Sequence, residues 1–404
     1  MKVLTKRSVY EAAKERIRFV FEEFENVYVN VSGGKDSTVV LNVALEVAEE
    51  MGRLPVKVSF IDQEAEWQAV IDYMREIMAD PRVEPYWYQM PIKISNSSSF
   101  TDEWLYCWKE GDHWLREKEP YAITENVFGD DRFKSLFYSI LETYHHNEKA
   151  CYLAGVRCEE SPNRATALTT REKYKGVTWA KQPEKAREHY TFYPLYDWSY
   201  TDVWKYIHDA GVSYCKVYDY FYQKGVPIQK MRVSNLHHET SVASLYLIEE
   251  FEKDTWNNLV ERLGGVHVTR SLEYSDMFQA PKRLPWMFRT WTEYRDHLTD
   301  KLIDPHLQAQ FRAKFAEYDK RYAGMTSDGD LRLKKSQISA ILANDFHFTK
   351  LENFDGLAPA QGYRKWKNQG RIGFGLYLKW IPPEKLEASR LAKIEADAAK
   401  ENEV

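Results

Sequence analysis

The chain has 404 residues, 44% hydrophobic and 29% charged, with a formal net charge of −5. That length exceeds what one compact core organises, so two domains are expected, and the mild acidity excludes coating of nucleic acid by the whole chain while leaving room for a local basic patch. Cysteines stand at Cys107, Cys151, Cys158 and Cys215 without a C-x-x-C pair, no run approaches the roughly 18–20 apolar residues of a membrane span, and the opening residues lack a signal peptide's apolar core, so a reduced, cytoplasmic chain is expected.

Ser8 to Glu25 reads as an amphipathic helix, with Ser8 as N-cap and Glu11 completing a capping box. Val27 to Val31 is a buried strand by its valine content. It runs into Ser32-Gly33-Gly34-Lys35-Asp36-Ser37 and then into an apolar run of helical spacing reaching about Met51. A strand entering a glycine loop that opens a helix suits a phosphate. The glycines let backbone amides approach an anion, and the helix start adds its positive dipole end. Ser32 and Ser37 offer hydroxyls, and Lys35 offers a charge. The spacing is neither that of a Walker A loop nor that of the G-x-G-x-x-G fingerprint.

Lys57 to Asp62 is the second strand of a βαβ unit. Right-handed crossover puts Asp62, Gln63, Glu64 and Glu66 beside the glycine loop. Glu64 and Glu66 read more simply as a polar loop and helix cap. A helix over Glu66 to Met78 and a strand over Val83 to Pro91 follow. From Ser95 to His146 the pattern is less regular. Trp104, Cys107, Trp108 and Trp114 fall at helical spacing within Asp102 to Lys118, a pattern that is usually a core stripe or a lid contact and only sometimes a base-stacking surface.

Lys149 to Val156 is a fourth buried strand, leading into Gly155-Val156-Arg157-Cys158-Glu159-Glu160-Ser161-Pro162-Asn163-Arg164. Two arginines and a serine at a strand's carboxyl end suit a phosphate or sulfate. Arg164 to Glu188 is a polar, basic loop. Pro194 to Trp204 reads P-L-x-D-W-x-x-x-D-V-W, with Ser199 or Thr201 capping a helix over Asp202 to Ala210. Beyond His237 the spacing turns helical over Thr240 to Leu263, Trp286 to Tyr322, Leu331 to Asn344 and Glu384 to Glu401. Phe354 to Ile381 is glycine-rich, with basic and aromatic residues interleaved, a composition that nucleic-acid contacts and ordinary surface turns share.

SGGKDS between strand and helix resembles the PP-loop of the ATP-pyrophosphatase and PAPS-reductase superfamily. G-x-R-x-x-E-S-x-x-R, met by Gly155, Arg157, Glu160, Ser161 and Arg164, and the P-L-x-D-W string are further matches in order. The resemblance implies a Rossmann-like, doubly wound parallel α/β sheet of PP-loop/HUP type over residues 1–235. A mainly α-helical domain over 236–404, including the glycine-rich segment 354–381, completes the expected chain. It implies ATP or PAPS held by Ser32, Gly33, Gly34, Lys35, Asp36 and Ser37, with Asp62 on the adenine and ribose side. Gly155, Arg157, Glu160 and Ser161 complete the nucleotide site. Lys35, Asp36, Arg157 and Arg164 are the expected catalytic set, and Asp36 the expected Mg²⁺ ligand.

Reductases of this superfamily carry a loop without the Lys-Asp pair and a C-terminal Glu-Cys-Gly-Leu-His segment. This chain keeps Lys35 and Asp36 and has no cysteine beyond Cys215. The expected reaction is therefore ATP cleavage at the α–β bond, with adenylyl transfer to an anionic acceptor such as sulfate and release of pyrophosphate. PAPS reduction and a non-catalytic nucleotide sensor are the alternatives. Length and order also resemble a bacterial and mobile-element subgroup, which implies a ParB/sulfiredoxin-like protein partner.

Overall fold

The computed structural model describes residues 6–95, 104–182, 188–236, 245–263, 266 and 279–368. Its strands are β1 (Asn26–Asn30), β2 (Val56–Ile61), β3 (Val83–Tyr88), β4 (Ile92–Ser95), β5 (Trp104–Cys107), β6 (Ala150–Leu153), β7 (Ala180–Lys181) and β8 (His189–Phe192). Six of them form one sheet in the order β3-β2-β1-β6-β8-β7, parallel except for the edge strand β7. The chain leaves β1 toward β2 and β3 on one side and returns to β6 and β8 on the other. The order therefore reverses between β1 and β6, the crevice where open α/β sheets bind ligands.

Both faces of the central strands are covered, which is why β1 and β6 are buried along their middles without alternation. Val29 lies in register with Val58 and Leu153. These side chains join the core formed with α1 (Val9–Glu23), α2 (Lys35–Glu50) and α3 (Gln68–Met78). Tyr28 and Tyr152 point the opposite way, to Leu141 of α4 (Phe133–Tyr144). The capping box of α1 forms as the sequence indicates, Ser8 and Glu11 exchanging bonds.

The helix suggested by the tryptophan spacing of 102–118 does not form. β5 runs to Cys107, and Trp108 takes φ +55°. Its indole Nε1 donates to the Asp62 carbonyl at 2.9 Å and its amide to Glu64 Oε2 at 2.8 Å. Tertiary hydrogen bonds override the local period here. The stretch 164–188 is not all loop either, since it includes most of α5 (Pro162–Thr169) and the two-residue β7.

The described residues pack as two units, one within 1–94 and 105–270, the other within 95–104 and 271–404. The first also holds α6 (Tyr200–Ala210), α7 (Val217–Gln223), α8 (Leu245–Phe251) and α9 (Lys253–Arg262). Leu245, Ile248, Trp256 and Leu259 of α8 and α9 are buried in its core, beyond residue 235. The second unit is helical, with helices Trp291–Leu302, Pro305–Arg321, Ser327–Leu342, Thr349–Asp355 and Ala358–Asn368 around Phe311, Phe315, Ile338 and Ile341. Pro305, with Asp304 as N-cap, divides the 286–322 segment into two helices. Of the segment 354–381 read as turn-rich, residues 354–368 are mostly helical, in the end of Thr349–Asp355 and the whole of Ala358–Asn368. The remainder of the glycine-rich segment, 369–381, and the expected helix 384–401 lie outside the described residues.

Candidate functional site

The glycine loop leaves the carboxyl end of β1. Gly33 takes φ +70°, and a Cβ there would stand 2.9 Å from Val70 Cγ1 of α3. Backbone angle and neighbour both call for glycine. The Ser32 amide donates to Ser37 Oγ at 3.2 Å, and Ser37 Oγ donates to the Gly34 carbonyl at 2.8 Å. The Lys35 amide donates to Tyr218 Oη at 2.9 Å, so this amide is engaged within the protein. The amides of Gly33, Gly34 and Asp36 have no hydrogen-bond partner among the described residues. Open amides at a helix start are an anion site.

Lys35 is only 6% exposed. Its Nζ lies 3.1 Å from Asp36 Oδ2 and 5.6 Å from the Tyr218 ring centroid. Asp36 Oδ1 accepts from Arg157 Nε at 2.5 Å. One carboxylate thus holds both cations. Arg157 is buried and also donates to Glu159 Oε2 at 2.8 Å and to the Trp198 carbonyl at 3.4 Å. Burial alone would lower its pKa, but the charge and hydrogen bond of Asp36 outweigh that and raise it, so the guanidinium stays charged.

Gly155 fixes how the two motifs meet. A Cβ on it would lie 2.6 Å from the Asp36 carbonyl carbon and 2.6 Å from the Ser37 amide nitrogen. Backbone rests on backbone, with no room for a side chain. Glu160 Oε1 accepts the Arg157 amide at 2.8 Å, and the other oxygen of Glu160 pairs with the Arg164 guanidinium. Ser161 caps α5, its Oγ accepting the Arg164 amide at 3.2 Å. The five motif residues therefore form one unit against the glycine loop. Each arginine of the motif faces a protein carboxylate, Arg157 that of Asp36 and Arg164 that of Glu160. Arg164, with its side chain 36% exposed, is the more accessible of the two.

Asp62 stands apart from its expected role beside the ribose. It is fully buried and accepts from the Glu64 amide, Trp87 Nε1 and Gln89 Nε2 at 2.9 Å each, and from Arg116 Nη2 at 2.6 and 2.7 Å. Its lone pairs are spent inside the protein. Glu64 is likewise buried and paired with Arg262 Nε at 2.8 Å. Glu66 accepts from Asn235 Nδ2 at 3.1 Å. Burial, then the nearby charge of Asp62, push its carboxyl up to about 8. Arg116, Arg262 and Tyr218 escaped sequence reading because they reach their partners across 54, 198 and 183 residues.

The residues present do not fit a resident Mg²⁺. Both oxygens of Asp36 already accept from cationic side chains. Among the described residues no group of three or more His, Cys, Asp or Glu side chains is placed to hold a metal. None of the cysteines is in a disulfide. The thiols of Cys107 and Cys151 are pushed up by burial, and that of Cys215 likewise to about 12. Cys158 is half-buried in the turn between Arg157 and Glu160.

The Escherichia coli K12 uncharacterized protein YbdN is 31% identical over 271 residues, covering 64% of this chain and 66% of YbdN, just under two thirds of that protein's length. Among solved structures, Candida glabrata FMN adenylyltransferase with FMN and the ATP analogue AMPCPP overlaps 58% of this chain and 66% of its own at 13% identity and a TM-score of 0.35. The Candida auris phosphoadenylyl-sulfate reductase phosphate complex overlaps 59% and 98% at 13% identity and a TM-score of 0.31. Likeness at this level lends nothing to an argument about function. No helix among the described residues is long and apolar enough to cross a membrane. The model of the phosphoadenosine phosphosulfate reductase domain matches residues 26–271, which contain the glycine loop, the arginine turn and the whole parallel sheet, and the chain belongs to that family.

Proposed function

We propose that the chain is an adenine-nucleotide enzyme that cleaves ATP between the α and β phosphates, passes the adenylyl group to an anionic acceptor such as sulfate or a carboxylate, and releases pyrophosphate. The observation that carries this reading is the mouth of α2. Open amides of Gly33, Gly34 and Asp36 stand beside Lys35 and Arg157, whose charges are held by one carboxylate. In this reaction an acceptor oxygen attacks the α phosphorus, and the bond to the bridging oxygen breaks with its electron pair leaving on pyrophosphate. An acceptor that is already anionic needs no base. The protein's part is positioning and stabilisation of charge by preorganised donors. Divalent cation enters with the nucleotide's phosphates, as part of the substrate.

The thiols argue in the same direction, since a nucleophilic sulfur must be an accessible thiolate and three of the four are buried and raised. Cys158, half-buried in the arginine turn, keeps PAPS reduction as a second reading. Incubation of the purified chain with ATP, with and without sulfate, tests the proposal. Pyrophosphate release is expected, with the adenylyl group carried off on sulfate where sulfate is the acceptor and on water, as AMP, without it. Sulfite release from PAPS that disappears in Cys158→Ser, with no ATP turnover, would replace it with the second reading.

A further inference from the structure

A cavity of about 460 Å³ opens between α6, α7 and the turn at 228–231. Its walls are aromatic and aliphatic: Trp204, Tyr214, Tyr218, Tyr222, Ile228 and Met231. Trp204 stands edge-on to Tyr214 and Tyr218, with ring centroids 5.4 and 5.2 Å apart. Asp219 is the one charged residue in the lining, and it accepts from Tyr214 Oη at 2.9 Å. The rim is exposed apolar surface, Tyr222 at 72% and Ile228 at 42%. No cationic group lines it, so it suits neither sulfate nor phosphate.

The cavity is tied to both motifs of the site. Tyr218, in its wall, accepts the Lys35 amide through Oη. Tyr200, also in its wall, donates its amide to Glu159 Oε2 at 2.7 Å, and Glu159 pairs with Arg157. Gln229 Nε2 donates to Tyr200 Oη at 2.9 Å and holds the 228–231 turn against α6. Because α6 follows the carboxyl end of β8, the cavity lies along the edge on which β1 and β6 open.

From this we infer that the cavity binds the body of the acceptor, and that this body is a planar, uncharged aromatic ring system. Its nucleophilic anionic oxygen, a carboxylate or phosphate, stays outside the cavity, toward the glycine loop. The volume admits a fused ring, the rings in the wall offer edge and face contacts, and the lone carboxylate repels an anionic body. The assignment of an acceptor rests on the adenylyl-transfer reading, whereas the existence of an aromatic-ring site does not.

Titration of the full chain with quinoline, followed by ligand-observed NMR, tests the site, and calorimetry with ATP runs beside it. Quinoline is expected to bind, and Ile228→Trp, which fills the cavity from its rim, should weaken it at least about tenfold. Tyr222→Ala, which removes an exposed wall, should weaken it too. The acceptor assignment requires that ATP affinity stay within about twofold in both variants. No binding of quinoline to the unaltered chain would overturn the site, as would binding that neither variant changes. Adenosine competing with quinoline, together with a loss of ATP affinity in Ile228→Trp, would overturn the acceptor assignment, because the ring would then be the nucleotide's own. Failure of the chain to bind ATP, with quinoline binding lost in the variants, would overturn the acceptor assignment and the adenylyl-transfer reading while leaving the ring site standing.

Discussion

At Gly155 the backbone of one motif rests directly on the backbone of the other, with 2.6 Å available where a Cβ would need ordinary contact distance. Gly155→Ala should therefore push the arginine turn away from Asp36 and Ser37. A cost of about 1–3 kcal/mol in stability is expected, with a parallel loss of ATP affinity. Thermal unfolding and calorimetry on one sample check this, and a variant as stable and as tight as the parent would show that the motifs do not depend on each other. The two arginines should separate in the same assays. Arg157 joins Asp36, Glu159 and the Trp198 carbonyl, which a lysine's single ammonium cannot reproduce. Arg157→Lys should lower both stability and ATP affinity by about 2–4 kcal/mol. Arg164→Lys, at a more exposed pair, should leave stability within about 0.5 kcal/mol while weakening ATP. Equal destabilisation by the two would contradict that division.

Glu66 gives the site a pH signature. Its folded carboxyl is raised to about 8. A carboxyl raised in the folded state contributes its full stability below the unfolded value, and that contribution falls away as pH climbs toward 8. Glu66→Gln keeps an oxygen for Asn235 Nδ2 and removes the titration. The parent's unfolding temperature should thus fall relative to the variant's between about pH 5 and pH 8, by an amount corresponding to a few kcal/mol at most. Parallel pH profiles would mean that Glu66 is ionised in the folded chain.

Among the elements, α3 is held by a carboxylate from far along the chain. Glu252, between α8 and α9, accepts the amides of Gln68 at 2.6 Å and Ala69 at 2.9 Å, the first turn of α3. No side chain of the α3 N-cap, Trp67, provides such a bond. Because Val70 of the same helix presses on Gly33, this distant cap steadies the glycine loop. Glu252→Ala should cost about 1–2 kcal/mol, measured by denaturant unfolding. No measurable change would mean that α3 keeps its place without the cap. Strands β1, β2, β3 and β6, with α1 and α2, were legible in the sequence because their signals are local: valine runs, the Ser8 capping box, a glycine pair before an apolar period. The partners of Asp62 and Glu64 were not. Arg116 and Arg262 are ordinary charged residues until the fold brings them to β2, and Trp108 trades its local period for two long-range hydrogen bonds.

Across the whole molecule, motif order foretold the parallel sheet and placed the glycine loop and the arginine turn on one edge, because both follow strands flanking the switch between β1 and β6. Which arginine meets which carboxylate depends on side-chain directions that spacing does not encode. The helical unit within 271–404 follows from its apolar periods, with a buried Arg295 bonded to Asp319 and Gln337 fixing its centre. The adenylyl-transfer reading stands on one claim, that the glycine loop holds the phosphates of an adenine nucleotide. Calorimetric titration of ATP into the full chain and into a folded Lys35→Ala, Ser37→Ala variant tests it most directly. The account predicts a loss of about 2–4 kcal/mol in binding, whereas unchanged affinity in the variant would contradict it.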